Sequence, residues 1–206
     1  MVAILGRKTT MTQVYDDRGR AVPATVIDVS SCVVVARRTE KDDGYSALQL
    51  GFGEPTKRKL TKPVAGYFKK LGIGPVGVLQ EVRMDSTDEF EPGKPVGVGR
   101  FQVGDKVDVS GLTKGRGFCG GVKRWGWSTG PRTHGNMSHR RVGSIGAGTS
   151  PGRILKGRTM PGQYGNEKVT IRHLKVVQVD EDKGLLYVTG AVPGNNGGVV
   201  LVRKPN

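Results

Sequence analysis

The chain has 206 residues, with 33 Lys and Arg against 18 Asp and Glu, a net charge of +15. That length allows one large domain or two small ones, and two distant cysteines, Cys32 and Cys119, exclude both a disulfide framework and a CxxC metal or redox motif. The opening MVAILGRKTTMTQVY has too short an apolar run for a signal peptide, no segment supplies the ~20 apolar residues of a membrane span, and a reducing cytoplasm is the simplest setting.

Taken in chain order, the first fifty residues read as β. Met11 to Tyr15 alternates, Asp16 to Gly19 turns, and Ala21 to Val29 returns as a strand. Val33 to Val35, a turn at Asp42-Asp43-Gly44 and Tyr45 to Phe52 follow. β-branched runs between Asp/Gly turns signal an antiparallel sheet or barrel, with Pro23 suited to an edge or strand start. Glu54 to Lys62 reads as a basic connector and Pro63 to Leu71 as a short helix, with Pro in its first turn and Gly72 at its end. Val76 to Met84 and Val103 to Val109 read as strands around the acidic turn region Asp85 to Pro95.

From Gly111 to Gly165 the apolar period disappears, because Gly and Pro interrupt every few residues. Strands resume at Lys168 to Val179, Leu185 to Val192 and Val199 to Val202, with a turn at Glu181 to Gly184. The layout is a β-barrel body, over 1–53, 75–110 and 167–206, with a small insertion at 54–74 and a basic extension at 111–166.

That extension carries the chemistry. Between Val109 and Asn166 there is no Asp or Glu, but there are ten Lys or Arg and fifteen Gly. The stretch alone contributes +10, and the rest of the chain +5. Lys114, Arg116, Lys123, Arg124, Arg132, Arg140, Arg141, Arg153, Lys156 and Arg158 have no acid within the segment to pair with. A one-sign field repels itself, so an external polyanion, nucleic acid, is expected to complete it. Arg outnumbers Lys seven to three, and its planar fork suits phosphate and base stacking. A loop this long is uncommon in a compact domain, and its apolar residues, Phe118, Ile145, Ile154, Leu155 and Tyr164 among them, argue for ordering on a partner.

Other motifs have plainer readings. Gly115 to Gly120 spells GxGxxG, but a dinucleotide site needs an acid about 20 residues on. The next acid is Glu167, and no kinase-type companion motif is present. The glycines are better suited to close backbone approach to phosphate. His134 and His139 with Cys119 have irregular spacing and lack the ligand count of a metal site, so the histidines read as RNA-contacting or simply polar. His173 reads as structural. Ser138 and Ser144 near His139 have no carboxylate to complete an acid–base relay. Trp125 and Trp127 leave two readings open, core packing or stacking on a base or ribose. A nucleic-acid-binding regulator or chaperone with a basic arm, and a nucleotide-dependent enzyme at the GxGxxG, are the alternatives in other classes. No cofactor or metal is expected.

Phe101, Asp108, Gly111, Thr113, Gly115-Arg116-Gly117, Gly120 and Arg124 match, in order and spacing, a signature of the L-three family of large-subunit ribosomal proteins. Thr133 to Gly146, Thr149 to Thr170, Gly190 to Gly194 and the opening LGRKTTMTQVY resemble its bacterial branch over essentially the whole chain. The resemblance implies a mainly β fold, a split antiparallel β-barrel of the translation-protein type, with a long irregular Gly/Arg-rich extension and a small, partly helical insertion. It implies a non-catalytic protein that binds large-subunit ribosomal RNA, nucleates early subunit assembly and neighbours other large-subunit proteins. It also implies that a loop, about Gly126 to Gly162, reaches toward the peptidyl transferase centre. Its tip would be Ser144, Ile145, Gly146, Ala147, Gly148, Thr149, Ser150, Pro151 and Gly152. The RNA-binding candidates are then the ten cations above with Trp125, Trp127, His134 and His139. Thr10 stands where the family usually has Gly. Thr149 stands where some bacterial members carry a methylated glutamine, which implies that the modification is absent.

Overall fold

The computed structural model describes residues 2–55, 60–85, 87 and 89–205. The chain divides into two compact units, one formed by 1–113 with 168–206 and the other by 114–167. Residues 56–59 of the expected basic connector, and 86 and 88 of the expected acidic turn, lie outside the described residues.

The first unit is mainly β. Its strands are β1 (Val2–Tyr15), β2 (Ala21–Asp28), β3 (Cys32–Arg38), β4 (Ala47–Phe52), β5 (Val78–Arg83) and β6 (Lys106–Leu112). The second unit contributes β7 (Phe118–Cys119) and β8 (Gly162–Gln163), and the first unit resumes with β9 (Lys168–Asp180), β10 (Leu185–Thr189) and β11 (Val199–Lys204). Six of them close into a barrel in the order β1-β11-β6-β9-β10-β2, every neighbouring pair antiparallel, while β3-β4-β5 form a separate sheet.

Alternation decides which side chains fill the barrel. Ile4 lies opposite Val202, Val202 opposite Val109, and Val109 opposite Ile171, so these residues share the inner face. Ile4, Val109 and Val202 are fully buried. The first half of β1 is buried on both faces, because Leu5, on the outer face, meets the second sheet. Its backbone N–H donates to Cys32 Sγ at 3.4 Å. Burial there pushes the Cys32 thiol up to about 11. A strand buried on both faces loses the polar alternation that would reveal it, so the sequence pattern sees β1 only from Met11 onward.

Several boundaries move for local reasons. The turn expected at Asp42 to Gly44 is a one-turn helix, α1 (Glu40–Asp43). Its three acids sit where the helix N-terminus favours negative charge, and Thr39 Oγ1 donates to Asp42 Oδ2 at 2.9 Å. The helix α2 (Lys62–Leu71) begins one residue early and ends at left-handed Gly72. Strand β6 starts at Lys106 and not at Val103, because Gln102 to Asp105 form a turn in which Asp105 Oδ2 accepts the Gln102 N–H at 2.9 Å. Strand β10 stops at Thr189, since Gly190 takes a left-handed φ of +72°, while its N–H still donates across to Pro23 O at 2.8 Å. Pro23 is not on an edge strand, as β2 pairs on both sides. It lies one residue beyond the end of the β10 ladder, where no N–H is needed.

Two charged side chains are buried inside this unit. Lys8 is buried, and its ammonium donates to Val192 O at 2.8 Å and Gly194 O at 3.3 Å. Asp108 is also buried; it accepts the His173 N–H at 3.0 Å and meets Arg203 Nη2 at 3.3 Å.

Candidate nucleic-acid interface

The unit of residues 114–167 is built from a narrow neck, a short helix and a long exposed loop. Gly and Pro keep its regular elements short. At the neck, the Arg116 N–H donates to Tyr164 O at 2.9 Å and the Tyr164 N–H to Gly117 O at 3.0 Å. The two-residue β7–β8 ladder continues this pairing. Gly165, at φ +70°, allows the crossing: a Cβ there would overlap the Lys114 carbonyl oxygen. The GxGxxG thus forms one side of the neck and leads into the five-residue helix α3 (Gly121–Trp125), which ends at left-handed Gly126.

Beyond the neck the tryptophans separate. Trp127 is half-buried with its ring directly against Gly121, and its indole N–H donates to Thr159 Oγ1 at 3.2 Å. Trp125 is about half exposed, donates to Met160 O at 2.8 Å and lies 5.0 Å from the Arg124 guanidinium carbon. One indole is therefore packed within the unit and the other offers an open face. Arg124 also donates to Met160 O at 2.7 Å, so part of its fork is committed to holding the loop's return leg.

From residue 131 to 158 every residue is exposed except Asn136, which is intermediate. The loop is held by short polar links. Asn136 Nδ2 donates to Pro131 O at 2.8 Å, as does the His139 ring through Nδ1–H at 2.8 Å, and the Gly130 N–H reaches His139 O at 2.9 Å. Arg158 Nη2 donates to Ser144 O at 2.7 Å and ties the two legs below the tip. Trp127, Arg141, Ser144, Arg158 and Thr159 help line an open cavity of about 370 Å³.

The charges here are unbalanced in space as well as in sequence. All eight ion pairs among the described residues lie in the barrel unit, and none of the ten Lys and Arg of the 109–166 segment enters one. Nine of those ten are exposed, Arg124 being the exception. Apolar groups share the surface: Phe118 is 80% and Met137 88% exposed. A cationic, partly apolar surface with little buried interior suits a partner that combines phosphates with stackable bases.

A family model described as Ribosomal protein L3 matches residues 76–189. The chain belongs to this family. The large ribosomal subunit protein uL3 of Thermotoga petrophila is 51% identical over 204 residues, covering 99% of this chain and 97% of that protein. The uL3 of Thermotoga maritima gives the same values. That of Carboxydothermus hydrogenoformans is 47% identical over 201 residues, covering 98% and 96%.

With the family established, the positions of the other candidates are clear. Arg132, Arg140, Arg141, Arg153, Lys156 and His134 are all exposed on the loop; Lys114 and Arg116 stand at the neck, with Arg116 5.5 Å from the Tyr164 ring centre, and Lys123 lies on α3. Ser144 to Gly152 form the exposed tip, closed by the Gly152 N–H to Gly148 O at 3.2 Å. Cys119 is buried and its thiol donates to Arg116 O at 3.5 Å, while His139 engages a carbonyl, so neither is directed toward the other. His173 sits at φ +58° in a strand irregularity supported by Asp108, a structural position. Asp108 belongs to the signature seen in the sequence, but nothing local to it indicates that role.

Proposed function

We propose that the chain is a structural protein of the large ribosomal subunit, resident in the cytoplasm, which binds large-subunit ribosomal RNA directly and is not itself a catalyst. In this reading the ring of six strands and the neighbouring sheet are the split barrel that positions the protein. The 114–167 unit is the arm that enters folded RNA. Early binding nucleates subunit assembly, and the tip at Ser144 to Gly152 extends toward the peptidyl transferase centre. Neighbouring large-subunit proteins are further partners.

The observation that carries the reading is the exposed, acid-free span of residues 131–158, whose cations enter no ion pair. Phosphates supply the missing charge, and Gly backbone with aromatic faces fills irregular gaps, so recognition follows RNA shape more than sequence. With one phosphate neutralised by each of the ten Lys and Arg of the whole 109–166 segment, the slope of log affinity against log salt is on the order of −7 to −9. Filter binding of the full chain to a large-subunit RNA fragment measures it, and a slope near −2 would refute the reading.

A further inference from the structure

The barrel carries a second concentration of unpaired positive charge, outside the arm. Strands β6 and β9 are paired so that Leu112 faces Lys168, Ser110 faces Thr170, and Lys106 faces Lys175. Their register slips between Val107–Leu174 and Val109–Ile171, placing one extra residue in β9, so that Arg172 and His173 together oppose Asp108. The buried Asp108 carboxylate holds the slip by accepting the His173 N–H, with His173 in the left-handed region.

The slip has a consequence for side-chain direction. In a regular strand, Arg172 and Lys175 would point to opposite faces. The extra residue returns Lys175 to the outer face, beside Lys106 and in line with Lys168 and Arg172. All four are exposed, and none enters an ion pair. The acids along this edge are already engaged: Asp105 holds Lys204 at 2.8 Å, and Asp108 holds Arg203. Between the cations, Ser110 and Thr170 share one short hydroxyl–hydroxyl bond of 2.7 Å, which keeps the surface low.

Like charges directly opposite across a ladder are destabilising, so Lys106 facing Lys175 costs the free protein stability. We infer that this outer β6–β9 face, with Lys106, Lys168, Arg172 and Lys175, is a second RNA-binding site that grips the phosphate backbone independently of the arm. The inference rests on the ribosomal-RNA reading above. Its long cationic side chains flank the Ser110 and Thr170 hydroxyls, a set that fits the phosphate backbone, which carries no sequence information of its own.

The test compares two variants of the full chain on one large-subunit RNA fragment. The face variant carries Lys106→Gln, Lys168→Gln, Arg172→Gln and Lys175→Gln; the arm variant carries Arg140→Gln, Arg141→Gln and Arg153→Gln. Loss of four phosphate contacts makes the salt slope shallower by about 3, and that is the result expected for the face variant. If only the arm variant becomes shallower, the face site is overturned and the ribosomal-RNA reading stands. If neither changes, both fail. An unchanged slope with failed incorporation into subunits assigns the face to an acidic protein neighbour and also overturns the site. Lys106→Glu provides a check on folding. It turns the facing pair into an attractive one, so the melting temperature should rise while RNA affinity falls. A raised melting temperature with unchanged affinity overturns the inference.

Discussion

Replacing Gly165 by alanine probes whether the arm's neck depends on one close backbone crossing. Gly165 has φ +70°, and an alanine held there costs about 1–2 kcal/mol. Its Cβ would also overlap the Lys114 carbonyl oxygen and lie 3.0 Å from the carbonyl carbon. Because the obstacle is backbone, relief requires the two strands of the neck to part, at about 1–3 kcal/mol. The flanking bonds from the Arg116 N–H to Tyr164 O and from the Tyr164 N–H to Gly117 O are worth about 1 kcal/mol each if they open. The neck should therefore lose at least about 2 kcal/mol, which is a thirtyfold rise in opening of those amides. Hydrogen exchange at Arg116 and Tyr164 reads this directly. Both tryptophans of the chain, Trp125 and Trp127, lie in the same unit, so selectively excited tryptophan fluorescence reports the arm alone. Gly143→Ala is the matched control, since no atom lies within 4 Å of its Cβ position. Unchanged protection at the two neck amides in Gly165→Ala would show that the crossing does not hold the neck.

Three further outcomes are expected. Lys8→Met keeps the stem but removes the donors to Val192 O and Gly194 O. It should lower stability by about 1–3 kcal/mol, read as a lower denaturant midpoint, and an equal midpoint would refute the role. The Lys204 ammonium first, and the Gln102 N–H second, hold the Asp105 carboxyl below its ordinary 3.8. The folded state thus binds this proton less readily than the unfolded one. The resulting stability is complete above about pH 5 and is lost as the pH falls through 3.8 and then through the lowered value. Asp105→Asn should be less stable at neutral pH and lose less between pH 5 and 2 in thermal melts, and parallel pH curves would count against it. Cys32, fully buried with its thiol pushed up to about 11, presents on the order of one thiolate in a thousand at pH 8. It should react with a thiol reagent only when denaturant is added, and prompt reaction in the native protein would contradict the packing of Leu5 on Cys32.

Residue type and local period by themselves determined the β content, the α2 helix, the points where the chain leaves and re-enters the body, and the arm's cationic character. Glycine frequency and the absence of acid are properties of a segment and need no partner to be read. Long-range pairing decided the rest. The order β1-β11-β6-β9-β10-β2 joins strands from both ends of the chain, and β3-β4-β5 separate from it, although all of these strands look alike locally. Trp125 and Trp127 have equal sequence credentials, yet only Trp127 finds Gly121 beneath its ring. Lys8 looks like any surface lysine until the Val192 and Gly194 carbonyls arrive from the far end of the chain. Arg172 and Lys175, three residues apart in one strand, reach the same face only through a single extra residue in β9. Composition fixes which groups need partners, whereas the tertiary fold determines which partners come within reach, because a hydrogen bond or a packing contact depends on ångström distances between residues far apart in sequence.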